Sequence, residues 1–291
     1  DCRSKDVSKR EIYIVEGDSA LGSVKLGRDA EFQGIMPVRG KILNCLKADY
    51  ERIFKSEIIT DLIKVLGCGV DVKTSRKEVA SFDLSALRWN KVIICTDAGL
   101  SSEENRRFNS FAGRAFITTV SIKKMSAEDK EWCLSPTGWY MDGEDTKLRR
   151  QYDITKQEET DESREKYYDK IFYKEKYIES YDEMRDISFN QTLLVTFSLK
   201  YRDYTMRVRN AQVERARRAI AQGGTKIERK NQNDFRRFVK SKSTTAKGEE
   251  AAKVQYMINE DAIAEEAKYD CFYATMHNLD EAETSDILKI T

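Results

Sequence analysis

The sequence predicts an α/β fold built on a parallel sheet, and three observations carry that reading. Two apolar runs each end in a carboxylate: Ile12-Tyr13-Ile14-Val15 before Glu16, and Val92-Ile93-Ile94-Cys95-Thr96 before Asp97. Between them Ile53, Phe54, Ile58, Ile59, Leu62, Ile63 and Leu66 recur at helical spacing. Buried-looking strands that alternate with a helix are the pattern of a parallel sheet covered by helices.

Taken in order, the first strand, 12–16, leads into the turn Gly17-Asp18-Ser19 and a short helix-compatible stretch to about Gly27. Phe32–Pro37 reads as a second strand. The amphipathic stretch predicts one helix over 47–66, stopped by Gly67 or Gly69. A polar loop over 71–83 precedes the strand that ends at Asp97. Beyond it, Glu103–Asn109 predicts a helix capped by Ser101 or Ser102. Ala115–Ser121 reads as a strand, and Ser126–Leu134 as a helix capped by Ser126. Trp139-Tyr140 opens a charged, hairpin-like region. Residues 158–186 are acid-rich with interleaved tyrosines, which fit one face of a helix or alternate positions of a strand equally well. Gln191–Ser198 reads as a strand. A long helix over 200–222 ends at Gly223-Gly224. A last strand, 271–275, precedes the single histidine, His277, expected in a loop or at the surface.

The 291 residues leave room for one large domain or two small ones. With 51 basic and 50 acidic side chains the whole chain carries no nucleic-acid signature. No apolar run approaches the roughly 20 residues of a membrane span, and no signal peptide opens the chain, so a cytoplasmic protein without membrane partners is expected. The chain begins with Asp rather than Met, as expected of a fragment. Six scattered cysteines form no CxxC pair, which argues for buried, reduced thiols rather than zinc. A single histidine makes a Ser/His or Cys/His catalytic apparatus improbable. The one strong electrostatic asymmetry lies late. Residues 200–247 hold 15 basic and 4 acidic side chains, and 249–286 hold 11 acidic and 2 basic. The basic stretch suits phosphates; the plainer reading is a solvated helix neutralised by the acidic segment behind it.

Two strands that deliver Glu16 and Asp97 to one edge of a sheet supply hard oxygen donors for Mg²⁺. The segments Glu16-Gly17-Asp18-Ser19-Ala20-Leu21-Gly22-Ser23, Arg28-Asp29, Pro37-Val38-Arg39-Gly40-Lys41-Ile42-Leu43-Asn44, Leu66-Gly67-Cys68-Gly69 and Ile94-Cys95-Thr96-Asp97-Ala98 closely resemble the TOPRIM domain of bacterial type II topoisomerase B subunits, those of DNA gyrase and topoisomerase IV. The resemblance covers residues 1–98. It implies a TOPRIM-like parallel sheet with flanking helices, Glu16 as metal ligand or general acid/base for DNA strand cleavage and rejoining, and Asp97 as its metal-binding and catalytic partner. It also implies DNA contacts by Lys41 and Asn44, with positive charge from Arg39 and Lys25. The attacking tyrosine would come from a topoisomerase A-type subunit. The family continues as Asp-x-Asp-x-Asp-Gly, whereas Gly99 and Ser101 occupy the second and third acid positions here, and Leu21 replaces a glycine. Weak or lost Mg²⁺ binding and no two-metal centre are therefore expected. No ATPase domain, and so no ATP site, is expected in this chain.

From the other side, Val92 to Asn105 resembles DDE-type insertion-sequence transposases, in which a strand ends in the second catalytic aspartate before a Gly-Leu and a helix. Phe116–Lys124, Asp129-Lys130-Glu131-Trp132 with Gly138-Trp139, and Ala264–Ala274 continue that similarity over about 90–291. It implies a partial RNase H-like α/β core over 99–291 with a large α+β insertion over 122–263, and only one of three catalytic carboxylates, Asp97. Together the resemblances predict a DNA-binding hybrid, joined near Val92–Ala98, with little or no catalysis. The alternatives are a non-enzymatic protein-interaction module and residual Mg²⁺-dependent nicking at Glu16 and Asp97.

Overall fold

A computed structural model describes residues 2–40, 48–69, 83–145, 147, 149–182, 186–222, 234–244, 250–280 and 282–290. The chain is mixed α/β with a large central sheet. It divides into two compact units: Asp1–Ser121 with Glu175–Leu194 and Ala274–Thr291, and Ile122–Lys174 with Val195–Tyr273.

The first unit opens with β1 (Glu11–Glu16), α1 (Gly17–Gly27) and β2 (Gln33–Val38), then α2 (Tyr50–Lys55), α3 (Glu57–Leu66), β3 (Lys91–Thr96), α4 (Glu103–Phe108) and β4 (Arg114–Thr119). Strands β2, β1, β3 and β4 lie side by side in that order, all parallel. The register places Glu16 beside Val38, Val15 beside Cys95 and Ile94 beside Phe116. Ile12, Val15, Ile93, Ala115 and Phe116 are buried, as apolar residues in a sheet covered on both faces should be.

The predicted single helix over 47–66 is two helices; its proposed start, Lys47, lies outside the described residues. Asp49 caps α2 by accepting the Arg52 N–H at 2.8 Å. Ser56 then takes an extended conformation, φ −79° and ψ 111°, ending α2 and opening α3. The apolar periodicity of the sequence runs through this break and does not mark it. Gly67 ends α3 at φ +85°, a left-handed position suited to glycine.

Trp89 lies across Gly34 of β2, where an added Cβ would meet its indole at 2.5 Å. The indole N–H donates to Val65 O at 2.7 Å, and the Arg10 guanidinium stacks 4.4 Å from the ring. The unit is completed by the Glu175–Asp182 part of β6 (Phe172–Asp182), the Ile187–Leu194 part of β7 (Ile187–Phe197), the Ala274–His277 part of β10 (Phe272–His277) and α9 (Thr284–Ile290). β10 pairs antiparallel with β4, setting His277 opposite Ile117. This places His277 inside the sheet, 5 % exposed, instead of at the surface. Its Nδ1 accepts the Leu279 N–H at 3.3 Å, and burial pushes the imidazole down to about 4.

The second unit holds α5 (Ala127–Leu134), β5 (Tyr140–Met141), α6 (Asp161–Tyr167), α7 (Leu199–Ala221), the antiparallel pair β8 (Val239–Thr244) and β9 (Glu250–Ile258), and α8 (Glu260–Ala267). Ser126 caps α5 and Ser102 caps α4. The tyrosine-rich segment is a helix, α6, followed by a strand, β6. Trp139, Tyr152, Tyr167, Phe172, Phe197 and Phe272 form an aromatic core with centroids 5.2–6.3 Å apart. Buried Lys174 lies against the Trp132 and Trp139 rings and donates to Trp132 O and Ser135 O, and burial pulls its ammonium down to about 8. No helix among the described residues is long and apolar enough to cross a membrane.

Candidate functional site

The topology singles out one edge. The chain leaves β1 for β2 on one side and returns to β3 on the other. The gap between β1 and β3 is thus a switch point, and ligands of open α/β sheets bind outside the carboxyl ends of strands at such points. Glu16 is the last residue of β1 and Asp97 the first after β3, both exposed. The Asp97 amide faces Glu16 Oε2 at 3.5 Å, so the backbone of one acid lies beside the carboxylate of the other. Gly17, at φ +78°, makes the turn that starts α1 directly after Glu16. The N-terminal end of this helix, rich in unpaired N–H groups, favours negative charge at the same edge.

The loop after β3 is tied to Asp97. Asp97 Oδ1 accepts the Gly99 N–H at 2.7 Å, and Ser101 Oγ donates to Ala98 O at 2.9 Å. Thr118 Oγ1 of β4 lies 3.3 Å from Asp97 O and 2.8 Å from Thr96 Oγ1. Positions 99 and 101 contribute a turn, not carboxylates. Among the described residues no group of three His, Cys, Asp or Glu side chains is gathered to hold a metal.

The basic candidates separate. Arg39 directly follows β2 and donates from Nε to Asp18 Oδ1 at 2.8 Å, with both side chains exposed. The register of β2 on β1 puts this pair beside Glu16. Lys25 is exposed in the last turn of α1, nine residues and about 13 Å along the helix from Glu16. Lys41 and Asn44 lie outside the described residues.

One residue at this edge escaped sequence reasoning. Arg106 of α4 is half-buried beside a cavity of about 100 Å³ lined by Thr96, Leu100, Phe116 and Thr118. It donates to Ser101 O at 2.8 Å, and burial lowers its guanidinium below the usual range while Glu103 opposes that shift. Its only sequence signal is its place four residues after the cap Ser102, on a helix whose inner face composition alone does not reveal.

Residues 11–107 match the family model of the Toprim domain. Over this third of the chain the sequence is similar to Toprim domains. Its relatives include the DNA gyrase B subunit of Campylobacter jejuni, 54% identical over 98 residues, 34% of this chain and 12% of that protein. The DNA gyrase B subunit of Chlamydia muridarum is 42% identical over 134 residues, 46% of this chain and 15% of that protein. The corresponding gyrase protein of Mycoplasma genitalium is 44% identical over 142 residues, 45% of this chain and 21% of that protein. The chain thus matches only 12–21% of the length of these three relatives. The Toprim match contains Glu16, Arg39 and Asp97, and runs on into α4 past Gly99 and Ser101.

Proposed function

We propose that the Toprim domain binds DNA at the β1–β3 edge with the help of Mg²⁺, as a relative of the DNA-cleaving part of type II topoisomerase B subunits, and that this chain does so with little or no catalysis. The observation that carries the reading is the placement of Glu16 and Asp97 together at the switch point. The donor set fits one Mg²⁺. This ion keeps several waters and is commonly held by one or two carboxylates plus substrate phosphate. Glu16 and Asp97 would hold it; Gly99 and Ser101 leave a second ion without carboxylates. When bound, the ion supplies positive charge to a phosphodiester.

The chain's own residues do the rest. Glu16 would hold or release a proton at a sugar oxygen. Asp97 is oriented by the Gly99 amide. Arg39, anchored by Asp18, adds a cation to the approach, and Lys41 and Asn44 are proposed as DNA contacts on family resemblance alone. In strand cleavage and rejoining the attacking tyrosine would come from a topoisomerase A-type subunit. For residues 90–291 we favour descent from a DDE transposase-like fragment, with 99–291 as its share of the sequence and 122–263 as its insertion; this share is one of origin and not a folding unit, because 99–121, 175–194 and 274–291 fold with residues 1–98. The parallel pairing of β3 and β4 around α4, directly after Asp97, is the βαβ unit that an RNase H-like arrangement requires there, and other parallel sheets share it.

Anisotropy of a labelled duplex tests the site. Wild-type protein should bind at low salt and bind several-fold more tightly when Mg²⁺ replaces EDTA. Glu16→Ala and Asp97→Ala should each remove the Mg²⁺ effect. Absence of binding at low salt, or a Mg²⁺ effect that survives both changes, overturns the proposal. Plasmid nicking lost in both variants would instead establish residual nuclease activity.

A further inference from the structure

The second unit carries a cationic face that the acidic segment does not neutralise. In α7 the buried side consists of Leu199, Arg209, Val213 and Ala216. Tyr204, Arg207, Ala211, Arg215 and Arg218 fall on the opposite side, within a sector of about 80° at 100° per residue. Tyr204 is 53 % exposed, and Arg207, Arg215 and Arg218 are exposed. Arg207 to Arg218 spans about 16 Å of helix.

Five acids of the following segment are engaged elsewhere. Asp270 holds buried Arg209, Glu260 lies 3.7 Å from Arg217, Asp261 3.3 Å from Lys240, Glu266 2.6 Å from Arg237, and Glu265 2.6 Å from Lys268. On α7 itself Glu214 also turns to Arg217, at 3.5 Å. None of the ion pairs among the described residues includes Arg207, Arg215 or Arg218. The acidic segment therefore cancels the cations of the flank and interior and leaves the solvent stripe charged. Arg207 lies 5.8 Å from the Tyr204 ring, which keeps an aromatic surface and a guanidinium together at one end.

We propose that this stripe is a second DNA-binding surface, reading the phosphate backbone of a duplex without sequence preference. Three guanidiniums over about 16 Å face about five base-pair steps, at 3.4 Å each. Such contacts position a protein on DNA and make binding salt-dependent. The choice of DNA rests on the Toprim reading; the charged surface does not. No metal enters, so the two proposals fail separately.

The test uses the full chain in EDTA, with a 30-base-pair duplex titrated from 50 to 200 mM salt. Replacing Arg207, Arg215 and Arg218 together by Gln should weaken binding at least tenfold at 50 mM. It should also reduce the slope of log K against log salt by about 2–3, near 0.9 per phosphate. Arg217→Gln, which removes a paired cation from the same helix, should change affinity less than twofold. Circular dichroism checks that each variant is folded. A folded triple variant with unchanged affinity and slope overturns the proposal, as does an Arg217→Gln loss equal to one third of the triple effect in log K. Equal affinity for duplex RNA or for polyglutamate overturns the assignment to DNA.

Discussion

At the scale of single residues, what decides a role is whether burial is visible in the sequence. Glu16 and Asp97 are legible because each ends an apolar run, and a parallel sheet delivers such residues to one edge. His277 is not. It sits at the end of a strand whose partner, β4, is distant in sequence, and nothing local indicates that it is enclosed. Its imidazole has a consequence for acid stability. The ordinary pKa is 6.5 and the folded value about 4. As pH falls below about 6.5 the unfolded chain takes up a proton that the folded chain refuses. Stability should therefore drop between 6.5 and 4 and level off below, by about 3 kcal/mol at most. In urea unfolding at several pH values, the stability of wild type minus that of His277→Leu should fall across this window. A difference independent of pH would refute the assignment. Arg106 was hidden for the same reason as His277: its half-burial comes from neighbours on β3 and β4, not from its own helix.

At the scale of elements, most of the architecture was readable from apolar periodicity and caps. Ser102, Ser126 and Gly67 bound their helices as their chemistry dictates. The break at Ser56 was not readable, because Ser56 makes no side-chain cap hydrogen bond and the apolar pattern continues across it. The tyrosine-rich segment was ambiguous because aromatic residues serve a helix face and a strand equally well; the aromatic core around Phe172 resolves it. The pairing of β2 with the rest of its layer depends on Gly34 and Trp89. The indole is pinned by its bond to Val65 O and by Arg10, so it cannot retreat from an added methyl. Gly34→Ala should cost about 1–3 kcal/mol by overpacking and lower the urea midpoint with an unchanged slope. An unaltered midpoint would mean that β2 shifts freely.

At the scale of the whole molecule, a family match and a folding unit are different objects. The Toprim match ends at residue 107, but β3 forms a ladder with β4, so the matched stretch alone lacks one neighbour of its own sheet. A chain of residues 1–107 would present Val92–Thr96 as an unpaired apolar edge, a template for aggregation. We expect it to aggregate more readily than the full chain, or to unfold without a cooperative transition. A monomeric, cooperatively unfolding 1–107 would show that β3 needs no cover. This dependence was not readable in advance, because the strands that complete the unit come from residues 175–194 and 274–291, far from the motifs that identify it.

That return of the chain has a cost in time. The Phe116 amide is met by Asn278 Oδ1, 162 residues later, and β4 gains its second ladder only when β10 arrives. At about 5–20 residues per second, translation takes roughly 8–30 s to cross that interval. Throughout it the nascent chain carries a finished catalytic-looking edge on a sheet with one bare side. During synthesis β4 is therefore an unpaired edge for as long as the ribosome needs to reach β10, and an unpaired edge is a template for pairing with other chains.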